Sequence, residues 1–272
     1  SIDQSLRCSF LLGHASSDHG AAVPGALVSQ WPSMAAPLAG WCSNTWAPLP
    51  SPISTCSGAT TASVIDDVAR WTLQTRHLPE FRFINRYHDD PAYIGALAQS
   101  VREHWQREGR AEKLVMSFHG MPERTLHLGD PYHCECLKTG RLLAEALGLR
   151  QDEWLVSFQS RFGKAKWLEP YTEPSLVKLA QGGLKSVDVI CPGFSADCLE
   201  TLEEINQEAR EAFLHAGGQR FTYIPCLNDS QAWADALHAI CMQHMQHWPL
   251  QIPPESDLKK SRVAALEMGA AD

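Results

Sequence analysis

His119 is the first residue placed to do chemistry. It follows the apolar run 113–118 in Ser117-Phe118-His119-Gly120-Met121-Pro122, where glycine and proline stop a strand and leave the imidazole at its end. Histidine exchanges protons near neutral pH and ligates borderline metals; a loop histidine bonded to backbone is the plainer alternative. The second candidate is the turn and helix start running from Pro192 to Glu204. Glu200, Glu203 and Glu204 are spaced i, i+3 and i+4, one face of an α-helix, and can relay a cation. Asp197 and Glu200 also have the spacing of a capping box, and taken alone the cap is the simpler reading. Gly193-Phe194-Ser195-Ala196-Asp197 approaches the nucleophile elbow of hydrolases but lacks its last glycine. His133, Cys134 and Cys136, with Cys191, Cys198 and Cys226 elsewhere, suggest a metal or iron–sulfur site. One Cys-x-Cys is weak spacing for that, and core packing is the expectation for Cys191 and Cys226.

These residues need elements to position them. Helical periodicity predicts helices over 61–72, 91–108, 136–147, 174–181, 197–216 and 229–247, and apolar runs predict strands over 81–84, 113–118, 154–159, 186–191 and 221–226. Four strand–helix alternations from residue 113 onward require a parallel sheet with helices on both faces, because parallel strands need crossovers. In such sheets ligands bind beyond the carboxyl ends of the strands. That rule selects His119, the turn Gln159-Ser160-Arg161, the loop from Pro192 to Asp197, and Asn228. Residues 1–56 contain six prolines from Pro24 to Pro52 and keep neither periodicity, so no regular structure is expected there. The tail after Trp248, with Pro249, Pro253 and Pro254, is expected to fray.

Composition narrows the function. With 272 residues, 44% apolar and 20% charged, the chain can build a substantial core. A net charge of −8 with no basic block argues against a nucleic-acid partner. Nine cysteines without a secretory pattern point to a reducing cytoplasm, and membrane association is at most peripheral. No Walker or G-x-G-x-x-G sequence offers a nucleotide site.

Five motifs in order and register resemble bacterial ferrochelatases: 117–122 (SFHGMP), 129–132 (GDPY), 158–163 (FQSRFG), 167–172 (WLEPYT) and 191–204 (CPGFSADCLETLEE). The likeness runs from about Ser57 to Ala239. It implies an α/β fold of two Rossmann-like, class II chelatase-type lobes with parallel sheets, the first lobe incomplete. The implied division is 1–56 unmatched, 57–111 the remainder of the first lobe, 112–228 the second lobe, 229–248 a helix packing back on the first lobe, and 249–272 a tail. It implies insertion of Fe²⁺ into protoporphyrin to give haem, with His119 and Glu200 as catalytic and metal-handling pair, Phe194 and Trp167 lining the macrocycle pocket, and Asp197 supporting the acidic side. Ser195 becomes a loop residue. Fe²⁺ is then a substrate metal and no organic cofactor is needed. A non-catalytic porphyrin- or metal-binding remnant and a related tetrapyrrole cobaltochelatase are the alternatives. Residues 54–57 (STCS) replace the Pro-Gln-Tyr-Ser usual in the family, removing a pocket tyrosine. The abrupt return of the pattern at Ser57 predicts that the preceding stretch is frame-shifted or belongs to a damaged copy. Source DNA with no chelatase-like lobe in its alternative frames would refute that.

Overall fold

A computed structural model describes residues 47–50, 60–76, 78–248 and 253–271. The chain order is β1 (Ala47–Pro50), α1 (Thr61–Thr72), β2 (Phe81–Ile84), α2 (Pro91–Glu108), β3 (Lys113–His119), α3 (Glu123–His127), α4 (Tyr132–Leu147), β4 (Trp154–Gln159), α5 (Thr172–Gln181) and β5 (Ser186–Ile190). A π-helix (Glu200–Ala209) running into α6 (Arg210–His215), then β6 (Arg220–Ile224), α7 (Gln231–His244) and α8 (Glu255–Glu267) complete it. Among the described residues no helix is long and apolar enough to cross a membrane.

The strands after residue 112 form one parallel sheet in the order β4-β3-β5-β6. Both of its faces are covered, which is why β3 reads as a nearly continuous apolar run. Leu114, Met116 and Phe118 of β3 face α2, α4 and α7, whereas Val115 joins Leu176 of α5 and Ile205 of the π-helix on the opposite face. Each such fully buried side chain contributes about 1.5–3 kcal/mol through removal of apolar area from water. Helix α4 comes so close to β4 that a Cβ at Gly140 would meet Val156 Cγ2 at 2.3 Å.

Helix α2 begins where the sequence says it should. Asp90 accepts from the Ala92 amide at 2.8 Å and Pro91 occupies the first helical position. The smaller sheet is anchored to the end of α7, because Arg82 of β2 donates to the carbonyls of His244 and Gln246 and lies 4.5 Å over the Trp248 ring.

Three expectations need correction. Ala47–Pro50 is a strand paired in parallel with β2, within a segment expected to lack regular structure; a strand with one partner uses only alternate amides, so prolines are compatible with it. The rest of 1–56 lies outside the described residues. The tail carries α8, since beyond Pro254 the sequence has acidic residues in the first helical turn and no further proline before Glu267. The third concerns 197–216, where an α-helix beginning at Asp197 is replaced by a π-helix beginning at Glu200.

Candidate active site

The strand order creates a switch point between β3 and β5. The chain leaves β3 toward β4 and leaves β5 in the other direction toward β6, which is where the ligand crevice of a parallel sheet is expected, beyond the carboxyl ends of these strands. His119 closes β3 and the loop from Cys191 to Leu199 leaves β5, which brings both candidate segments to this one edge.

At His119, Nδ1 lies 2.7 Å from the Gly120 carbonyl oxygen. A carbonyl only accepts, so Nδ1 carries the proton and Nε2 keeps its lone pair. The ring is half-buried, with the Phe194 ring centroid at 6.3 Å. Its main chain is fixed as well: Tyr132 Oη donates to the His119 carbonyl at 2.8 Å, and the Gly120 amide donates to the Gln159 carbonyl at 2.7 Å. Glycine is required beside it, because a Cβ at 120 would lie 2.5 Å from that same oxygen.

Across the crevice, Glu200 is half-buried at the start of the π-helix. Burial and the adjoining Glu200 carboxylate push the Cys198 thiol up to about 11. Glu204 takes two hydrogen bonds from Ser160, one from the amide and one from the hydroxyl at 2.6 Å. That tie explains the left-handed backbone of Ser160, φ 61°, just after β4. Glu203 is exposed. The three glutamates thus have different surroundings: Glu200 adjoins the Cys198 thiol, Glu203 faces solvent, and Glu204 is committed to Ser160.

Asp197 forms no capping box. The helix start has no side-chain cap, and Asp197 instead accepts from Tyr223 Oη at 2.6 Å, the Cys226 amide at 3.2 Å and Asn228 Nδ2 at 2.8 Å. Burial pushes its carboxyl up, but these donors outweigh burial and hold it below the usual carboxylate range. The residue thus staples the β5 loop to the end of β6. Asp197→Asn is expected to cost about 1.5–3 kcal/mol at pH 7, since it removes the charge from these bonds. A depressed folded-state pKa contributes stability that is full above the unfolded value and is lost as pH falls through the folded one. The gap between the two proteins, read by urea unfolding, should therefore close below about pH 4; a gap unchanged in acid would disprove the linkage.

Trp167 is 5% exposed and packs behind the β3 and β4 ends, while Phe162, 70% exposed, covers it at 4.9 Å between ring centroids. Phe162, Leu199 and Leu202 present exposed apolar surface on the segments following β4 and β5. Cys191, Cys226 and Cys136 are buried, and burial raises all three thiols. Among the described residues no group of three or more His, Cys, Asp or Glu is disposed to hold a metal ion. The turn Gln159-Ser160-Arg161 was selected by its place at the carboxyl end of β4, but the roles of the Gln159 side chain, paired in register with His119, and of the Ser160–Glu204 tie were not.

The ferrochelatase family model matches residues 50–245. Curated relatives include the ferrochelatase of Methylibium petroleiphilum, 62% identical over 215 residues, and that of a Polaromonas species, 63% identical over 215 residues. Each alignment covers 79% of this chain and 59% of the relative, so the chain spans about three-fifths of the length of the proteins it matches. Among solved structures, SirB from Bacillus subtilis with Fe³⁺ superposes with a TM-score of 0.52 at 12% identity, covering 74% of this chain and 72% of SirB. That likeness concerns the fold alone.

Proposed function

We propose, because this chain belongs to the ferrochelatase family, that its switch-point crevice inserts Fe²⁺ into protoporphyrin. The observation that carries this reading is the state of His119: Nδ1 is committed to the Gly120 carbonyl, Nε2 is free, and an aromatic ring stands beside it. Metal insertion must remove two pyrrole protons and strip water from the metal, so it needs a base facing an apolar macrocycle site. His119 Nε2 accepts the two protons in turn in this scheme, passing the first to solvent before taking the second, and the Glu200 carboxylate handles the metal. Phe194 borders the macrocycle, joined by the exposed apolar side chains of Phe162, Leu199 and Leu202. Trp167 supports that surface from beneath, and Asp197 holds the loop between the two sides.

Fe²⁺ is the substrate metal, the porphyrin is both substrate and scaffold, and no organic cofactor or iron–sulfur cluster is assigned. Residues 57–111 are read as the remainder of a first lobe, 112–228 with the four-stranded sheet as the second lobe, and the cytoplasm as the site of action. The test is anaerobic insertion of Fe²⁺ or Zn²⁺ into protoporphyrin by the purified chain, followed by absorbance. Turnover is the expected result. Porphyrin binding by folded protein without turnover would instead identify a binding remnant, and preference for Co²⁺ over Fe²⁺ would favour the related cobaltochelatase chemistry.

A further inference from the structure

We infer that Gln159 is the positioning residue that sets His119 and Glu200 in register with each other, an inference resting on the metal-insertion reading above. Gln159 touches both sides of the crevice. Its backbone carbonyl accepts from the amide of Gly120, next to His119, and its side-chain Nε2 donates to the main-chain carbonyl of Glu200 at 2.8 Å. It is paired with His119 in the β3–β4 ladder and is 3% exposed, so this amide has no water to fall back on.

The amide is held in one orientation by a buried chain of hydroxyls. Ser117 Oγ lies 2.7 Å from Gln159 Oε1, Thr172 Oγ1 lies 2.8 Å from Ser117 Oγ, and Ser157 Oγ lies 3.0 Å from Thr172 Oγ1. The carbonyl of Glu200 can only accept, so the amide nitrogen must face it and Oε1 must face Ser117. Ser117 then spends its one proton on Oε1, Thr172 donates to Ser117, and Ser157 donates to Thr172. The result is a one-way series of donors from β4 through α5 and β3 to the first residue of the π-helix, and bonds aligned in this way reinforce one another. The Cys191 thiol adds a weak donor to the same Oε1 at 3.5 Å. No bond from this residue reaches the reacting atoms; it acts through the backbone that carries them.

Two variants test this. Gln159→Leu removes the donor to Glu200, and Gln159→Met removes it while keeping the length of the side chain. Displacement of a reacting group by about 1 Å lowers rates on the order of a hundredfold. Gln159→Leu is therefore expected to reduce kcat for Zn²⁺ insertion about tenfold to a hundredfold at unchanged porphyrin KM, and to speed amide hydrogen exchange over 200–209. Gln159→Met should show the same fall in kcat and the same faster exchange over 200–209 at unchanged porphyrin KM, a split that a merely structural role would not produce. Wild-type kcat and exchange in folded Gln159→Leu or folded Gln159→Met would overturn the inference. If the wild-type chain fails to insert metal, the functional reading falls while the exchange comparison still decides the positioning role. Should Gln159→Leu not fold, Gln159→Met decides alone.

Discussion

His119→Ala is expected to slow metal insertion by about a hundredfold or more while the protein stays folded. The loss is chemical because the imidazole is half-buried at a strand end and its one resolved hydrogen bond goes to the neighbouring Gly120 carbonyl, so little packing leaves with it. What disappears is the Nε2 lone pair on the β3 side of the crevice. Added imidazole should restore part of the rate in His119→Ala by supplying that lone pair from solution. Glu200→Ala, assayed alongside, removes the carboxylate opposite and should not respond to imidazole. Rates for His119→Ala within twofold of wild type, with wild-type circular dichroism, would remove His119 from the mechanism.

The sheet was legible because burial on both faces writes β3 and β5 as apolar runs, and because Gly148 and the pair Gly182-Gly183 end helices where the periodicity stops. His119 followed from the rule that ligands gather at the carboxyl ends of parallel strands. Glu200 lies after β5 as expected but in a different winding, since no local pattern distinguishes a π-helix from an α-helix. What distinguishes this segment are tertiary bonds: Gln159 holds the Glu200 carbonyl and Ser160 holds the Glu204 carboxylate. Asp197 illustrates the same limit. Its spacing to Glu200 matched a cap, yet Tyr223 and Asn228, 26 and 31 residues away, claim its oxygens. Long-range polar partners leave no periodic trace in a sequence, whereas apolar faces do.

The largest stability effect is expected at Asp188, a residue with no part in the crevice. It lies in the middle of β5, 1% exposed, on the sheet face that carries Leu114 and Met116 of β3. Its Oδ2 accepts from Trp105 Nε1 at 2.8 Å and from the Ala111 amide at 2.9 Å, and its Oδ1 faces Arg220 at 3.7 Å. One carboxylate thus joins α2, the turn leading to β3, and β6. Asp188→Ala leaves two buried N–H donors unpaired and removes the anion that balances the guanidinium, so the folded state should lose about 3–5 kcal/mol. That is a large part of the roughly 5–15 kcal/mol that holds a domain folded. Asp188→Asn should cost less, because its amide oxygen can still accept from Trp105 and Ala111 while its nitrogen meets Arg220 unfavourably. Urea unfolding at constant m-value measures both. A loss below about 1 kcal/mol in Asp188→Ala would mean that water reaches these donors once the carboxylate is gone, and that the strand, not its one buried charge, joins these elements.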